Sequence, residues 1–239
     1  MRKSLGAIAI AVAIMLFAPT FGTVAGAAEG TSDVYVTHGL PLDDAGTIVD
    51  VYVNGDRAID DFAFGRTVGP LALPPGDYAV DIVAGADENN DSPLFSQTIE
   101  DLPAGGNFSV VASFSGEGAP ILNVFANDTS RTAWWAGPIA LHHAAAAPAV
   151  DVDLGLFPLT RYWTSFKKEI AGDVVNGDQA RYTLPRWFAY TVDVRLANTQ
   201  GNVLELDNVK VKRNVLTNAY VVGDPSAGTL QVITSTINL

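Results

Sequence analysis

The feature that limits this chain most is the length and spacing of its apolar runs. Residues 33–37, 48–53, 77–83, 107–115 and 121–125, then 150–154, 190–195, 216–222 and 230–234, are short and rich in Val, Ile, Tyr and Phe. They are separated by Gly, Pro, Asn and Asp, and several alternate apolar with polar residues. Ile48-Val49-Asp50-Val51-Tyr52-Val53 does so and ends at Asn54-Gly55. Period-two alternation closed by Asn-Gly is a strand entering a tight hairpin. No stretch after residue 27 sustains the apolar period of a helix. Strands without intervening helices pack as a sandwich or barrel, not as βαβ units. The predicted fold class is all-β, in two tandem β-sandwich domains of immunoglobulin-like or prealbumin-like character.

The first 27 residues stand apart from this pattern. Arg2 and Lys3 precede an apolar stretch over residues 5–17, and Ala25-Gly26-Ala27 follows as a small-residue cleavage site. That order reads as a secretory signal peptide over residues 1–27. The apolar stretch is short of the ~20 residues that cross a bilayer. The expected mature chain is therefore secreted, extracellular or envelope-associated, with no transmembrane segment. It contains no Cys, which removes disulfide scaffolds, thiolate metal sites and cysteine nucleophiles together. An exported chain without disulfides rests on its core, and 48% hydrophobic residues supply one. A net charge of −12 argues against a nucleic-acid partner, since phosphates would be repelled.

The mature chain reads as two successive units of similar order. Leu71-Ala72-Leu73-Pro74 leads into Tyr78-Ala79-Val80-Asp81, and Tyr182-Thr183-Leu184-Pro185 leads into Tyr190-Thr191-Val192-Asp193. His38 precedes Val49-Asp50-Val51 as His142-His143 precedes Val150-Asp151-Val152. Self-similarity at about one hundred residues is a duplicated domain, because solenoid repeats have periods of ~20–50 residues. The expected division is 28–130 for an acidic first sandwich and 131–239 for a near-neutral second one rich in Trp and Arg.

These residues resemble domain-of-unknown-function family 4397. The segment Ile139 to Leu154, with His142-His143, Pro148 and Val150-Asp151-Val152-Asp153, is similar to that family's opening strand, His-Ala, proline loop and Ala-Val-Asp-Val. Leu73-Pro74-Pro75-Gly76-Asp77-Tyr78 looks like its Leu-Pro-x-Gly-x-Tyr turn, and Val222-Gly223-Asp224 like the end of its unit. The second half departs from the turn, with Pro185-Arg186-Trp187 in place of a glycine. The resemblance implies secreted, mostly bacterial, β-rich domains, commonly in tandem. It brings no activity and no catalytic residues.

A search for chemistry finds little. There is no G-x-S-x-G elbow and no phosphate-binding glycine loop. His142 and His143 lie near Asp151 and Asp153, but neighbouring strand residues point to opposite faces and do not readily share one ion. The competing reading is a histidine packed at a strand end and bonded to the following loop. Asp87-Glu88-Asn89-Asn90-Asp91 places oxygens at Asp87, Asn89 and Asp91, like the start of a calcium loop. Ser92 stands where the loop glycine belongs and Thr98 where its last Glu belongs, which excludes a full EF-hand. The residue types leave two readings open, a looser calcium site or a solvated hairpin tip. No other cofactor is indicated. Asp50 and Asp151 each interrupt an apolar strand; such a carboxylate faces solvent or bonds backbone amides of the preceding loop, and its recurrence favours a structural bond over acid–base work.

Charge and aromatic residues are distributed unevenly. Residues 28–130 carry 17 acidic and 2 basic side chains; residues 131–239 carry 9 and 10. All four Trp fall in the second half. Trp134, Arg161, Trp163, Lys167, Lys168, Arg186 and Trp187 are the candidate ligand-binding residues, rings for stacking and cations for anionic polymers. The competing reading buries Trp135, Trp163 and Trp187 in the core. The leading functional expectation is a non-enzymatic binding or adhesion module that holds a cell-envelope or matrix polymer. The alternatives are a self-associating surface protein and a hydrolase with an unrecognised site around His38 or His142.

Overall fold

A computed structural model describes residues 30–41, 48–85, 87, 90–159, 167–199 and 201–239. The first half holds β1 (Ser32–His38), β2 (Ile48–Val53), β3 (Asp56–Ala63), β4 (Thr67–Leu73), β5 (Gly76–Ala84), β6 (Phe95–Leu102), β7 (Asn107–Phe114) and β8 (Pro120–Ala126). The second half holds β9 (Ala136–Ala145), β10 (Val150–Phe157), β11 (Lys167–Val174), β12 (Gln179–Pro185), β13 (Ala189–Leu196), β14 (Asn202–Val209), β15 (Val215–Gly223) and β16 (Gln231–Asn238). Among the described residues there is no α-helix. The all-β expectation holds.

The strands form four four-stranded sheets. Their orders are β4-β1-β7-β8 and β3-β2-β5-β6 in the first half, then β12-β9-β15-β16 and β11-β10-β13-β14 in the second. The second pair repeats the first with every strand advanced by eight. In the second half pairing is antiparallel except where β9 lies parallel to β15. By contact the chain forms two units. One comprises the described parts of Met1–His38, Leu42–Val111 and Leu122–Asn127; the other comprises Gly39–Pro41, Ala112–Ile121 and Asp128–Leu239.

In the second unit the two sheets pack face to face. Ile139 and Leu141 of β9 and Ala219 of β15 meet Val152 of β10 and Tyr190 and Val192 of β13. Tyr190, Val192 and Val194 alternate along one strand, as Tyr78, Val80 and Ile82 do along β5 in the first unit, and all six are buried. Each leading tyrosine also closes the turn before it. Tyr78 Oη donates to the Pro74 carbonyl, and Tyr190 Oη donates to the Pro185 carbonyl at 2.7 Å. The ring fills the core while the hydroxyl meets an otherwise open carbonyl. This accounts for a turn that runs from Leu-Pro to Tyr. Burial pushes the Tyr78 phenol up to about 12.

The aspartates inside β2 and β10 have matching tasks. The Asp61 N–H donates to Asp50 Oδ1 at 3.0 Å, and the Asp173 N–H donates to Asp151 Oδ1 at 3.0 Å. Asp61 and Asp173 have φ of 50° and 54°, and each sits where the register of β3 or β11 slips against its neighbour. A bulge leaves a backbone N–H without a ladder partner, and the carboxylate supplies one. The bond runs forward to the next strand, where the sequence pointed to the preceding loop. Each carboxylate then needs a countercharge. Arg57 Nη1 reaches Asp50 at 2.9 Å, whereas Asp151 shares Arg195, 3.4 Å away, with Asp153 and Glu169.

Asn127 and Asn107, the asparagines of two Asn-x-Ser/Thr sequences, are joined at the foot of β7 and β8. Asn127 Nδ2 donates to Asn107 Oδ1 and to Ser109 Oγ, both at 2.9 Å. Asn127 is buried, so its amide is committed to this cluster.

Removing one aspartate separates its two bonds. Asp151→Ala is expected to destabilise the protein by about 2–4 kcal/mol, because a bulge N–H and part of the Arg195 charge lose their partner. Asp151→Asn keeps an oxygen for the Asp173 N–H and is expected to lose less than half of that. Denaturant unfolding of the two variants beside the parent checks the order.

Candidate functional site

In the second unit the register brings three turns to one end of the sandwich. Pro185, the last residue of β12, pairs with Ala136, the first of β9. The segment 133–135 therefore lies beside the turn 186–188, and two bonds lock them. The Arg186 N–H donates to the Trp135 carbonyl and Arg186 Nε donates to the Trp134 carbonyl, both at 3.1 Å. The third turn, 210–214 between β14 and β15, lies against β9. A Cβ added to Gly137 would come within 2.5 Å of the Lys212 carbonyl oxygen, so only glycine admits this approach.

The side chains at this end are aromatic and cationic. Trp134 is 65% exposed, Trp187 59%, Phe188 49% and Trp135 38%. Trp134 and Trp187 meet edge to face, with ring centroids 5.8 Å apart and planes at 74°. The Arg186 guanidinium lies 5.7 Å from the Trp187 ring centre, within cation–π range. Lys210, Lys212 and Arg213 are exposed on the third turn. The corresponding turns of the first half read Pro74-Pro75-Gly76-Asp77 and Pro103-Ala104-Gly105-Gly106. Neither carries a ring or a cation. The two halves share a frame, and this end is where the second half differs.

The predicted ligand residues are only partly gathered here. Trp134, Arg186 and Trp187 come together. Lys168 is exposed on the edge strand β11, paired in register with Leu154. Lys167 turns inward: its Nζ lies 2.5 Å from buried Asp193 and 3.6 Å from Glu205. Burial alone would lower its pKa, but the two carboxylates outweigh that and hold the ammonium above its usual range. Lys167 is thus a structural countercharge rather than an open cation. Arg161 and Trp163 lie outside the described residues. Trp135, Phe188, Lys210, Lys212 and Arg213 belong to this end and were not selected from the sequence. The run Lys210-Val211-Lys212-Arg213 was a legible signal for three of them.

Of the calcium candidates, Asn89 lies outside the described residues. Asp91 is exposed, and the Asp87 N–H donates to the Ala84 carbonyl at 2.9 Å. The neighbouring Asn90 donates from Nδ2 to Asp81 at 2.7 Å, which fastens this hairpin tip to β5. Among the described residues, the carboxylates closest to metal-ligand spacing are elsewhere, in Asp50, Asp60 and Asp61. Arg57 Nη1 already bonds Asp50 and Asp60, at 2.9 and 2.8 Å, and supplies the positive charge there.

The histidines are core residues. His142 stacks on Tyr220, with ring centroids 4.7 Å apart, and its Nε2 lies 3.3 Å from Asn218 Oδ1. His143 Nδ1 accepts the Ala145 N–H, which leaves Nε2–H to donate to the Pro148 carbonyl at 3.2 Å. That is a strand-end histidine bonded to the following loop. His38 packs between Phe62 and Phe64. The hydrogen bonds of β1 and β9 make His143, not His142, its counterpart: the N–H of His38 donates to the Arg66 carbonyl, and that of His143 to the Asp178 carbonyl.

Comparison with known proteins bears on this arrangement. A family model described as Domain of unknown function (DUF4397) matches residues 32–153. The chain belongs to this family. The DUF4397 match opens at the first residue of β1 and closes inside β10, so it takes in the whole first half and the opening of the second. No curated protein matches the chain. Among solved structures, the crystal structure of CBMbc (family CBM26) from Eubacterium rectale Amy13K in complex with maltoheptaose aligns over 87% of this chain and 97% of its own. Identity is 13% and the TM-score 0.27, a likeness too loose to carry an argument.

The buried His142 gives a test of the site's surroundings. Desolvation pushes its pKa down to about 4, against the opposing pull of the Asn218 bond. A folded-state pKa below the unfolded value of ~6.5 means that stability is complete above that value and falls as pH drops towards 4. The expected loss is on the order of 2–3 kcal/mol between those two pH values. His142→Asn is expected to flatten that part of the curve, read as the difference between parent and variant in unfolding free energy against pH.

Proposed function

We propose that this protein is an exported, non-enzymatic binding module of the cell envelope or surrounding matrix, and that the Trp134–Trp187 end of its second half is the contact surface. The observation that carries the reading is where apolar surface is left uncovered. Among the described residues seven large hydrophobic side chains are exposed, and four of them (Trp134, Trp135, Trp187 and Phe188) sit together at this end. Soluble proteins tolerate single exposed apolar residues, but a cluster ringed by polar groups marks a contact site. Arg186, Lys210, Lys212 and Arg213 give that cluster a positive rim in a protein of net charge −12. The signal-peptide pattern in residues 1–27 supports export.

We also read the second half as a second copy of the DUF4397 domain. The repeated strand order, the paired aspartates Asp50 and Asp151, and the paired tyrosines Tyr78 and Tyr190 support this reading. On it, the first copy keeps the plain turns, and the second has replaced them with the rings and cations of a binding surface.

Co-sedimentation with cell envelopes from the source, at low and high salt, tests the function. The parent is expected to pellet at low salt and to be released by high salt, since exposed charge pairs are screened. A Trp134→Ala, Trp187→Ala double variant is expected to stay in the supernatant with an unchanged melting temperature, because both rings are exposed. Pelleting that ignores both salt and the two substitutions removes this surface from the reading. No pelleting at either salt, together with a mass that rises with protein concentration, turns the assignment to self-association.

A further inference from the structure

We propose that the component this end engages is the surface of an anionic lipid bilayer, which the rings enter at headgroup depth. The inference rests on the binding reading above and names its partner. Three observations favour a bilayer over a polysaccharide chain or a protein groove.

The first is position. The rings stand on turns beyond Ala136 and Pro185, the last paired residues of their strands, at the tip of the sandwich. The second is the geometry of the rings. Trp134 and Trp187 cross at 74°, so they present one face and one edge, not two coplanar faces along which sugar rings could stack. Phe188 beside them has no hydrogen-bonding group to offer a sugar. Tryptophan with Phe at a tip suits a membrane interface, where an apolar ring body sinks and the indole N–H stays at the polar boundary. The third is charge. Arg186, Lys210, Lys212 and Arg213 stand on the turns at this end, with exposed Arg131 just before Trp134 and Lys168 on β11; acidic Asp207, on β14, is bonded by Thr191 Oγ1 at 2.9 Å. Lys and Arg keep their heads in the headgroup layer while their stems lie against apolar surface. Each such cation near an anionic leaflet strengthens binding about five-fold. The acidic first half, with 17 acidic and 2 basic side chains over residues 28–130, gains nothing from that surface, so the second half leads.

The test uses the chain from Ala28 onward, which keeps all sixteen described strands and removes the apolar N-terminal stretch that would itself seek lipid. It is mixed with phosphatidylcholine vesicles and with phosphatidylcholine–phosphatidylglycerol vesicles, some carrying brominated acyl chains. Flotation and tryptophan emission are recorded. The expected result is flotation with the anionic vesicles alone, release by salt, a blue shift, and quenching by bromolipid. Lys210→Glu with Lys212→Glu and Arg213→Glu is expected to weaken binding at least a hundred-fold. Trp134→Ala with Trp187→Ala is expected to remove most of the bromolipid quenching. Circular dichroism of each variant, matched to the parent, keeps a folding failure from passing as a binding one.

Absence of flotation with anionic vesicles overturns the proposal, as does flotation unchanged by both sets of substitutions. Retention on a soluble anionic polysaccharide such as heparin, without vesicle binding, overturns it in favour of a polymer. Pelleting with envelopes but not with vesicles leaves the envelope-binding function standing and removes the bilayer as its target. Failure of both removes the two together.

Discussion

The fold depends on a carboxylate placed where an apolar strand would be expected to carry none. Asp50 and Asp151 lie in β2 and β10, each the neighbour of a bulged edge strand. A bulge lets β3 and β11 twist and end, but it leaves a donor without a ladder partner. By accepting that donor, the aspartate fixes where the bulge falls, and with it the register of the edge strand. A one-residue slip would turn the inward residues of that strand outward. The countercharge is less constrained. Arg57 serves it from β3 in one half and Arg195 from β13 in the other. The hydrogen bond is the shared element, and the salt bridge is fitted around it.

This hierarchy explains what was legible in the sequence. β1, β2, β5, β7, β10, β13 and β15 are readable as apolar runs and are inner strands of their sheets, while β8 and β16, readable over 121–125 and 230–234, are edge strands. β9, the remaining inner strand, was found through its resemblance to the family's opening. The strands that escaped notice were β3, β4, β6, β11, β12 and β14, and every one is an edge strand. Asp56-Arg57-Ala58-Ile59-Asp60-Asp61 and Lys167-Lys168-Glu169-Ile170-Ala171-Gly172 carry charges and a bulge, the features that keep an open edge from pairing with another chain. Local periodicity fades in such strands, because one face looks to water and the pairing is set from the side.

The candidate site divides in the same way. Trp134, Arg186 and Trp187 were readable because rings beside a cation in a turn have no core-forming alternation. Lys167 was misleading for a physical reason: its partners, Asp193 and Glu205, are 26 and 38 residues away in the chain and are brought near by β13 and β14. No local pattern announces an ion pair of that kind. The competing reading places Trp135 in the core with Trp163 and Trp187, because burial is the common fate of Trp; at this end the register runs out at Ala136 and leaves the Trp135 ring 38% exposed.

Arg186 holds this end together in a way that bears on how it would bind. Its main chain and its guanidinium both bond the carbonyls of Trp134 and Trp135, so two turns share one fastening. A free arginine loses about 2 kcal/mol of rotamer freedom when a partner immobilises it, and flexible turns lose backbone freedom besides. Here both are ordered when the protein folds. Whatever surface meets these rings encounters a rigid shape, and ordering on contact takes little from the affinity.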